Sequence, residues 1–395
     1  MRARMLICKK LSKLTLTVVI GACLVVSLPA MAKNKKQAEP PIDITKLVWP
    51  PAPQPTRVRY VGVYYGEEIK GIKKQGFLER LAGVQDLTRR NMLVKPYGVA
   101  VDSKGKAYVA DSQLGAVFVF DFEHKELTYR GDKPPAAFKT PIGVAIDSQD
   151  RLFISDAGQH NITVFSADGG VIDVFGSEEL QRPAGLAIDE PMERLYVADA
   201  KVRKVAQFNL KTFKLERWIG VTSDEIKEGA DESKLTYNPT NLAVDPDGLL
   251  YVVDTYLNHI TVFDTDGEYV RTIGSIGDGP GQFMRPRGIA LDSDGHIYVT
   301  DAMFQKFQIL TAEGQPLLPV GQYGAQPGQL SVPAGIAVDK YNRIIVADQG
   351  NRRIQVFHYV PDSEAAADKA KTGAAKESKG ANADSAALAS GKKKK

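Results

Sequence analysis

The chain has 395 residues, a formal charge of +4, and 43% hydrophobic and 25% charged residues, which is a folded-protein composition and excludes a wholly disordered chain. The positive charge sits at the ends. Arg2, Arg4, Lys9, Lys10 and Lys13 stand without an acid in residues 1–32, eight lysines meet five acids in 361–395, and residues 33–360 carry −4. A mildly acidic middle lacks the general footprint of a phosphate-backbone binder, so no nucleic acid is expected as a partner.

Residues 1–32 read as a signal peptide: a basic start, an apolar run over 14–28, and Ala30-Met31-Ala32 as a small-residue cleavage site. The run is short for a membrane span. Ile20-Gly21-Ala22-Cys23 leaves a second processing route open, in which Cys23 is lipidated and anchors the protein to a membrane. Either route predicts an exported protein, periplasmic or associated with the cell envelope. Both cysteines, Cys8 and Cys23, lie in this leader, so cleavage after Ala32 leaves no thiol for a disulfide or a thiolate metal site.

Residues 33–56 form an arm, first Lys-rich and then Pro-rich, that is predicted to run extended and solvated. Residues 57–65 alternate like a strand. An insertion at 66–92 follows, with Phe77, Leu81 and Val84 at helical spacing. Six repeats then begin at Pro96, Pro141, Pro183, Pro239, Pro286 and Pro333, 42–56 residues apart. Each opens like Pro96-Tyr97-Gly98-Val99-Ala100-Val101-Asp102, with Asn241 in place of glycine in the fourth. Each then closes a second apolar strand on an aspartate: Asp111, Asp156, Asp199, Asp254, Asp301 and Asp348. The period is that of a four-stranded blade, and the alanine shared by all six inner strands is small enough for the crowded centre of a ring. A second insertion, 221–237, precedes the fourth repeat and carries a capping-box pattern at Thr222-Ser223-Asp224-Glu225.

The sixth repeat ends near Tyr359 without a fourth strand, and residues 57–65 are the segment available to supply it, hiding two open sheet edges. The prediction is an all-β, six-bladed β-propeller over 57–360, closed by an N-terminal strand. Residues 361–395, nearly all Ala, Lys, Ser, Gly and Asp, are predicted to be a disordered tail.

The segments Gly335-Ile336-Ala337-Val338-Asp339, Ile344-Ile345-Val346-Ala347-Asp348 and Asn351-Arg352-Arg353-Ile354-Gln355-Val356-Phe357 together resemble an NHL repeat. The resemblance extends over 93–360. It implies a six-bladed propeller but no single activity, because NHL propellers include protein- and RNA-binding modules, extracellular sensors and a peptide-amidating lyase. The Asn-x-Arg signature is complete only in the sixth repeat; the first has Leu114-Gly115-Ala116 at that place.

The loops before each Pro-x-Gly and after each second aspartate emerge on one face, around the axial channel. This loop face is the candidate binding surface, through Lys95, Tyr97, Arg182, Tyr256, Arg285, Arg287 and Arg352, with Lys139, Lys201 and Arg203 nearby. Arg and Tyr around a concave mouth suit a protein partner, an anionic small molecule or a polysaccharide. A solvated surface that neutralises nearby aspartates accounts for the same residues. The repeating second aspartates read as backbone-binding turn residues rather than a metal ring. Only His160 and His259 fall on the loop face, too few for a three-histidine zinc site. No catalytic residue, metal ligand or cofactor is therefore assigned. The leading expectation is a non-catalytic binding or scaffold module of the cell envelope. The alternative is a metal-dependent lyase or lactonase-like hydrolase using the channel, with Asn238 and Asn241 as possible contributors.

Overall fold

In the computed structural model, residues 42–66, 92–131, 136–362 and 364–365 are described. The leader with Cys23, the first part of the arm, the helix expected at 77–84 and the tail beyond Ala365 lie outside these residues. Among those described, no helix is long and apolar enough to cross a membrane.

Six antiparallel sheets follow one another along the chain, the first five with their strands in sequence order from the centre outward and the sixth taking its outer strands from the N-terminal segment. The inner strands are Pro96–Val101, Pro141–Ile146, Pro183–Asp189, Pro239–Val244, Pro286–Leu291 and Pro333–Val338. Each packs on the next and the sixth packs on the first, so the sheets are blades of a closed ring. Second strands such as Leu152–Asp156, Leu250–Asp254 and Ile297–Asp301 are buried throughout, while outer strands such as Val171–Phe175 face solvent. That pattern explains why the first strands of each repeat carry no polar alternation: blades cover both of their faces. The core accordingly lies between blades, as where Val99 and Val109 of blade one meet Ile345 and Ile354 of blade six.

Neighbouring inner strands approach one another closely at the Pro-x-Gly glycines. A Cβ on Gly98 would stand 2.3 Å from the Ile142 carbonyl oxygen, and one on Gly335 would stand 2.3 Å from that of Tyr97. The Pro-x-Gly glycines therefore let neighbouring inner strands touch backbone to backbone. At the far face, the aspartate ending each inner strand caps its hairpin; Asp292 accepts the N–H groups of Asp294 at 3.0 Å and His296 at 2.8 Å.

Closure occurs as the missing strand requires. Val58–Tyr64 pairs with Arg353–Tyr359, in a register running from Val58 opposite Tyr359 to Tyr64 opposite Ile354. The arm, however, is not wholly solvated. Val48–Trp49 adds a fifth strand to blade six, and the Trp49 ring meets the fully buried Phe357 edge-on at 5.6 Å. A large apolar ring next to an open sheet edge gains more from burial than from hydration. The first residues after the propeller also dock: Glu364 pairs with Arg59 at 3.1 Å and His358 at 3.0 Å, and Asp362 pairs with Arg57.

Candidate functional site

The loop face is built on the second aspartates, all six of them fully buried. Asp254 shows how they work. Its carboxylate accepts the N–H groups of Tyr237 (2.6 Å) and Asn238 (2.9 Å) from the loop leading into blade four, and of Tyr256 (3.0 Å) and Leu257 (2.9 Å) from the turn after the second strand. Asp111, Asp156, Asp199 and Asp301 bind the corresponding N–H groups in their blades. The ring of carboxylates is thus spent on backbone, as expected from its repetition, and each aspartate fixes two loops against one another.

Blade six varies the scheme. Asp348 accepts the Ser331 N–H at 2.7 Å and also binds Asn351, Gln355 and the guanidinium of Arg353, the last at 2.6 Å. Burial pushes the Asp348 carboxyl up, against the pull of these hydrogen bonds. The Asn-x-Arg signature of the sixth repeat is therefore a structural device, with Arg353 facing inward and Arg352 outward.

Four residues after each second aspartate the backbone is left-handed: Gly115, His160, Arg203, Asn258, Gln305 and Arg352 have φ between 56° and 66°. Side chains there carry a strain of about 1–2 kcal/mol. Three of them reach the loop that leads into the next blade: His160 Nδ1 contacts the Gln181 carbonyl, the Arg203 guanidinium lies 4.4 Å over the Tyr237 ring, and Gln305 Oε1 accepts the Val332 N–H at 2.5 Å. The position clasps one blade to the next. Arg352 has no such partner among the described residues.

The structure brings the expected site residues together in sectors rather than in one ring. At the mouth, Arg287 lies 4.7 Å over the ring of Tyr97 and donates to Gln349 at 3.1 Å, which itself donates to the Pro96 carbonyl at 3.1 Å, so blades five, six and one meet there. Tyr256 stacks on Tyr237 with ring centroids 4.0 Å apart and an angle of 23°, below Arg203. Arg182 and Lys201 line a groove of about 600 Å³ with His160, Ser177, Glu178 and Gln181. Lys95 and Arg285 are exposed, and their backbone N–H groups bind Asp111 and Asp301. Tyr237 and Gln349 escaped the sequence reading. Gln349 directly follows a second aspartate, a position marked by the repeat, whereas Tyr237 sits in an insertion with no counterpart in other blades.

The second insertion forms a short helix, Ser223–Lys227, and the capping box read at Thr222–Glu225 starts it. There the Lys204 ammonium and the Thr222 N–H hold the Glu225 carboxyl down at about 2. Of the two loop-face histidines, His259 is drawn down by burial, and His160 is tied to blade three. Asn241 Oδ1 accepts the Leu242 N–H at 2.9 Å, and Asn238 contributes its own N–H to Asp254. Among the described residues, no three His, Cys, Asp or Glu side chains converge as metal ligands would.

These features define a six-bladed β-propeller. Residues 230–317 match a family described as 6-bladed beta-propeller. More particularly, residues 330–357, in the sixth repeat, match the NHL repeat. Similar solved structures include a protein of unknown function from Bacteroides thetaiotaomicron (19% identity, 67% of this chain and 70% of that one, TM-score 0.53). An auxiliary nutrient binding protein from the same organism is alike at 15% identity, with 68% and 69% covered and a TM-score of 0.53. A streptogramin B lyase is alike at 14% identity, with 68% and 94% covered and a TM-score of 0.51. At these identities the likeness is one of fold. No curated protein matches the sequence.

Proposed function

We propose that the protein is a non-catalytic binding or scaffold module, exported to the cell envelope, whose loop face recognises acidic groups of a partner protein or anionic ligand. One observation carries this reading. Among the described arginines, only Arg182, Arg285 and Arg352 have guanidinium groups without a hydrogen-bond, ion-pair or ring partner, and all three stand exposed on the loop face. Elsewhere arginine is put to structural use, as where Arg217 binds Gln207 and the carbonyls of Thr265 and Asp266. None of the second aspartates pairs with the three guanidinium groups, because their oxygens are taken up by N–H groups of the loops and of Arg353, Asn351 and Gln355. What the face offers outward is cationic and aromatic, and guanidinium groups bind carboxylates and phosphates most strongly when left free to pair.

The fold supports this function without selecting it, since the similar structures include both a binding protein and a lyase. The lyase or lactonase-like reading calls for converging acids or histidines at the channel, and the described mouth supplies Arg287, Tyr97 and Gln349 instead. The test is capture of partners from envelope fractions by wild type and by an Arg285→Ala, Arg352→Ala variant. Capture is expected to fall in the variant, and to fall with rising salt in wild type, at an unchanged melting temperature. Equal capture by the two proteins would overturn the assignment of the face. Stoichiometric divalent metal bound by the purified protein would favour the enzyme.

A further inference from the structure

The turn of blade three lies between two features that suit two parts of one ligand. On one side is the groove between blades two and three, where Arg182 and Lys201 have no ion-pair partner among the described residues. Both are held at the backbone by one buried carboxylate: Asp199 accepts the Arg182 N–H at 3.0 Å and the Lys201 N–H at 2.9 Å, along with those of Gln181 (2.7 Å) and Val202 (2.9 Å). Two cations therefore line one groove, with their backbones already fixed before an anion arrives. On the other side, Arg203 of the same turn supports the Tyr237–Tyr256 stack. Asp254 fixes the backbone of both tyrosines, and Tyr256 is 61% exposed, so one face of its ring is open. Lys201 and Arg203 are two residues apart, which puts their Cα atoms within about 7 Å.

We infer that this sector binds an acidic oligosaccharide, with a sugar carboxylate between Arg182 and Lys201 and a neighbouring pyranose ring on the open face of Tyr256. The inference rests on the loop face being a binding surface and names the ligand for one part of it. The remaining groove residues favour a sugar over a bare anion. Glu178, Gln181 and Ser177 offer a carboxylate, an amide and a hydroxyl, which match the donors and acceptors of sugar hydroxyls. A flat, immobilised tyrosine face next to a cation pair likewise suits a ring that carries its charge at the edge.

The experiment is calorimetric titration of the intact protein with tetragalacturonate and, as the uncharged counterpart, maltotetraose. Tetragalacturonate is expected to bind and maltotetraose to bind at least about tenfold more weakly. Arg182→Ala with Lys201→Ala, and separately Tyr256→Ala, are each expected to weaken tetragalacturonate by about tenfold or more. The melting temperature should not move, because Asp199 and Asp254 bind backbone N–H groups that every variant keeps. No binding of tetragalacturonate, equal binding of both sugars, or binding indifferent to either variant would overturn the inference. None of these results touches capture through Arg285 and Arg352, so the two readings fail separately.

Discussion

Removing the Arg353 side chain should cost this propeller more than almost any other single truncation. The guanidinium is 1% exposed and all five of its N–H donors are used: Nε to Asp348 at 2.6 Å, Nη1 to the Tyr65 hydroxyl at 3.1 Å and the Ala325 carbonyl at 2.8 Å, and Nη2 to the carbonyls of Gln326 at 3.0 Å and Gln329 at 2.8 Å. It thereby ties the sixth blade to the end of the closing strand and to the loop from blade five. Arg353→Ala leaves the Asp348 charge buried without its counter-ion, a loss of about 4 kcal/mol. For a domain this large that corresponds to a fall in Tm of about 8 °C in scanning calorimetry. The loss should also depend on pH. Burial already raises the Asp348 carboxyl, and without Arg353 it rises further. A carboxyl raised on folding holds a proton in the native state where the unfolded chain has released it, so stability declines as pH rises from the ordinary carboxylate range through the raised value. The deficit should therefore be largest near pH 8 and shrink towards about pH 4, the ordinary aspartate value. A Tm within about 2 °C of wild type at pH 8, or a deficit unchanged by acid, would refute the argument.

Two other substitutions test the ring and its turns. Gly335→Ala puts a methyl 2.3 Å from the Tyr97 carbonyl of the adjoining blade and should cost about 2–3 kcal/mol in urea unfolding, whereas at Gly62→Ala the nearest atom is the Tyr64 ring at 3.6 Å and the change should be small; equal effects would mean that the inner strands do not touch as described. Arg352→Gly relieves a left-handed residue whose side chain has no described partner, so stability should hold or rise by about 0.5 kcal/mol while partner capture weakens; a clear loss of stability would show that Arg352 clasps blade one.

The fold was legible because a propeller writes its geometry six times. The prolines, the second aspartates and the small inner residues each recur in register, and one absent strand in the last repeat points to residues 57–65. What occurs once was not legible. Val48 and Trp49 are two residues among prolines, too few to show a period, yet they complete blade six. Arg182, Arg285 and Arg352 were found because each adjoins a repeating Pro or Asp landmark. Their distribution among seams was hidden, since it depends on how a turn in one blade meets a loop in the next. Gly115 and Asn258 at equivalent places carry the relevant signal, for these two residue types enter the left-handed region most readily.

That turn position connects the stability of the ring to its candidate chemistry. A glycine there is unstrained but has no side chain to reach across the seam; in blade one even a methyl at Gly115 would stand 2.6 Å from the Phe138 carbonyl. His160, Arg203 and Gln305 accept the strain, and their side chains hold the neighbouring loop. Two of those three seams are also where the exposed loop-face chemistry collects: the groove beside His160 and the tyrosine stack beneath Arg203. Seams are suited to this, because two blades contribute side chains there whose backbones separate aspartates have already fixed. Any ligand bound there touches both blades and adds to the contacts that keep them together. Binding at a seam should thus raise the stability of the whole ring and not of one blade alone, as it must for any ligand that prefers the folded state.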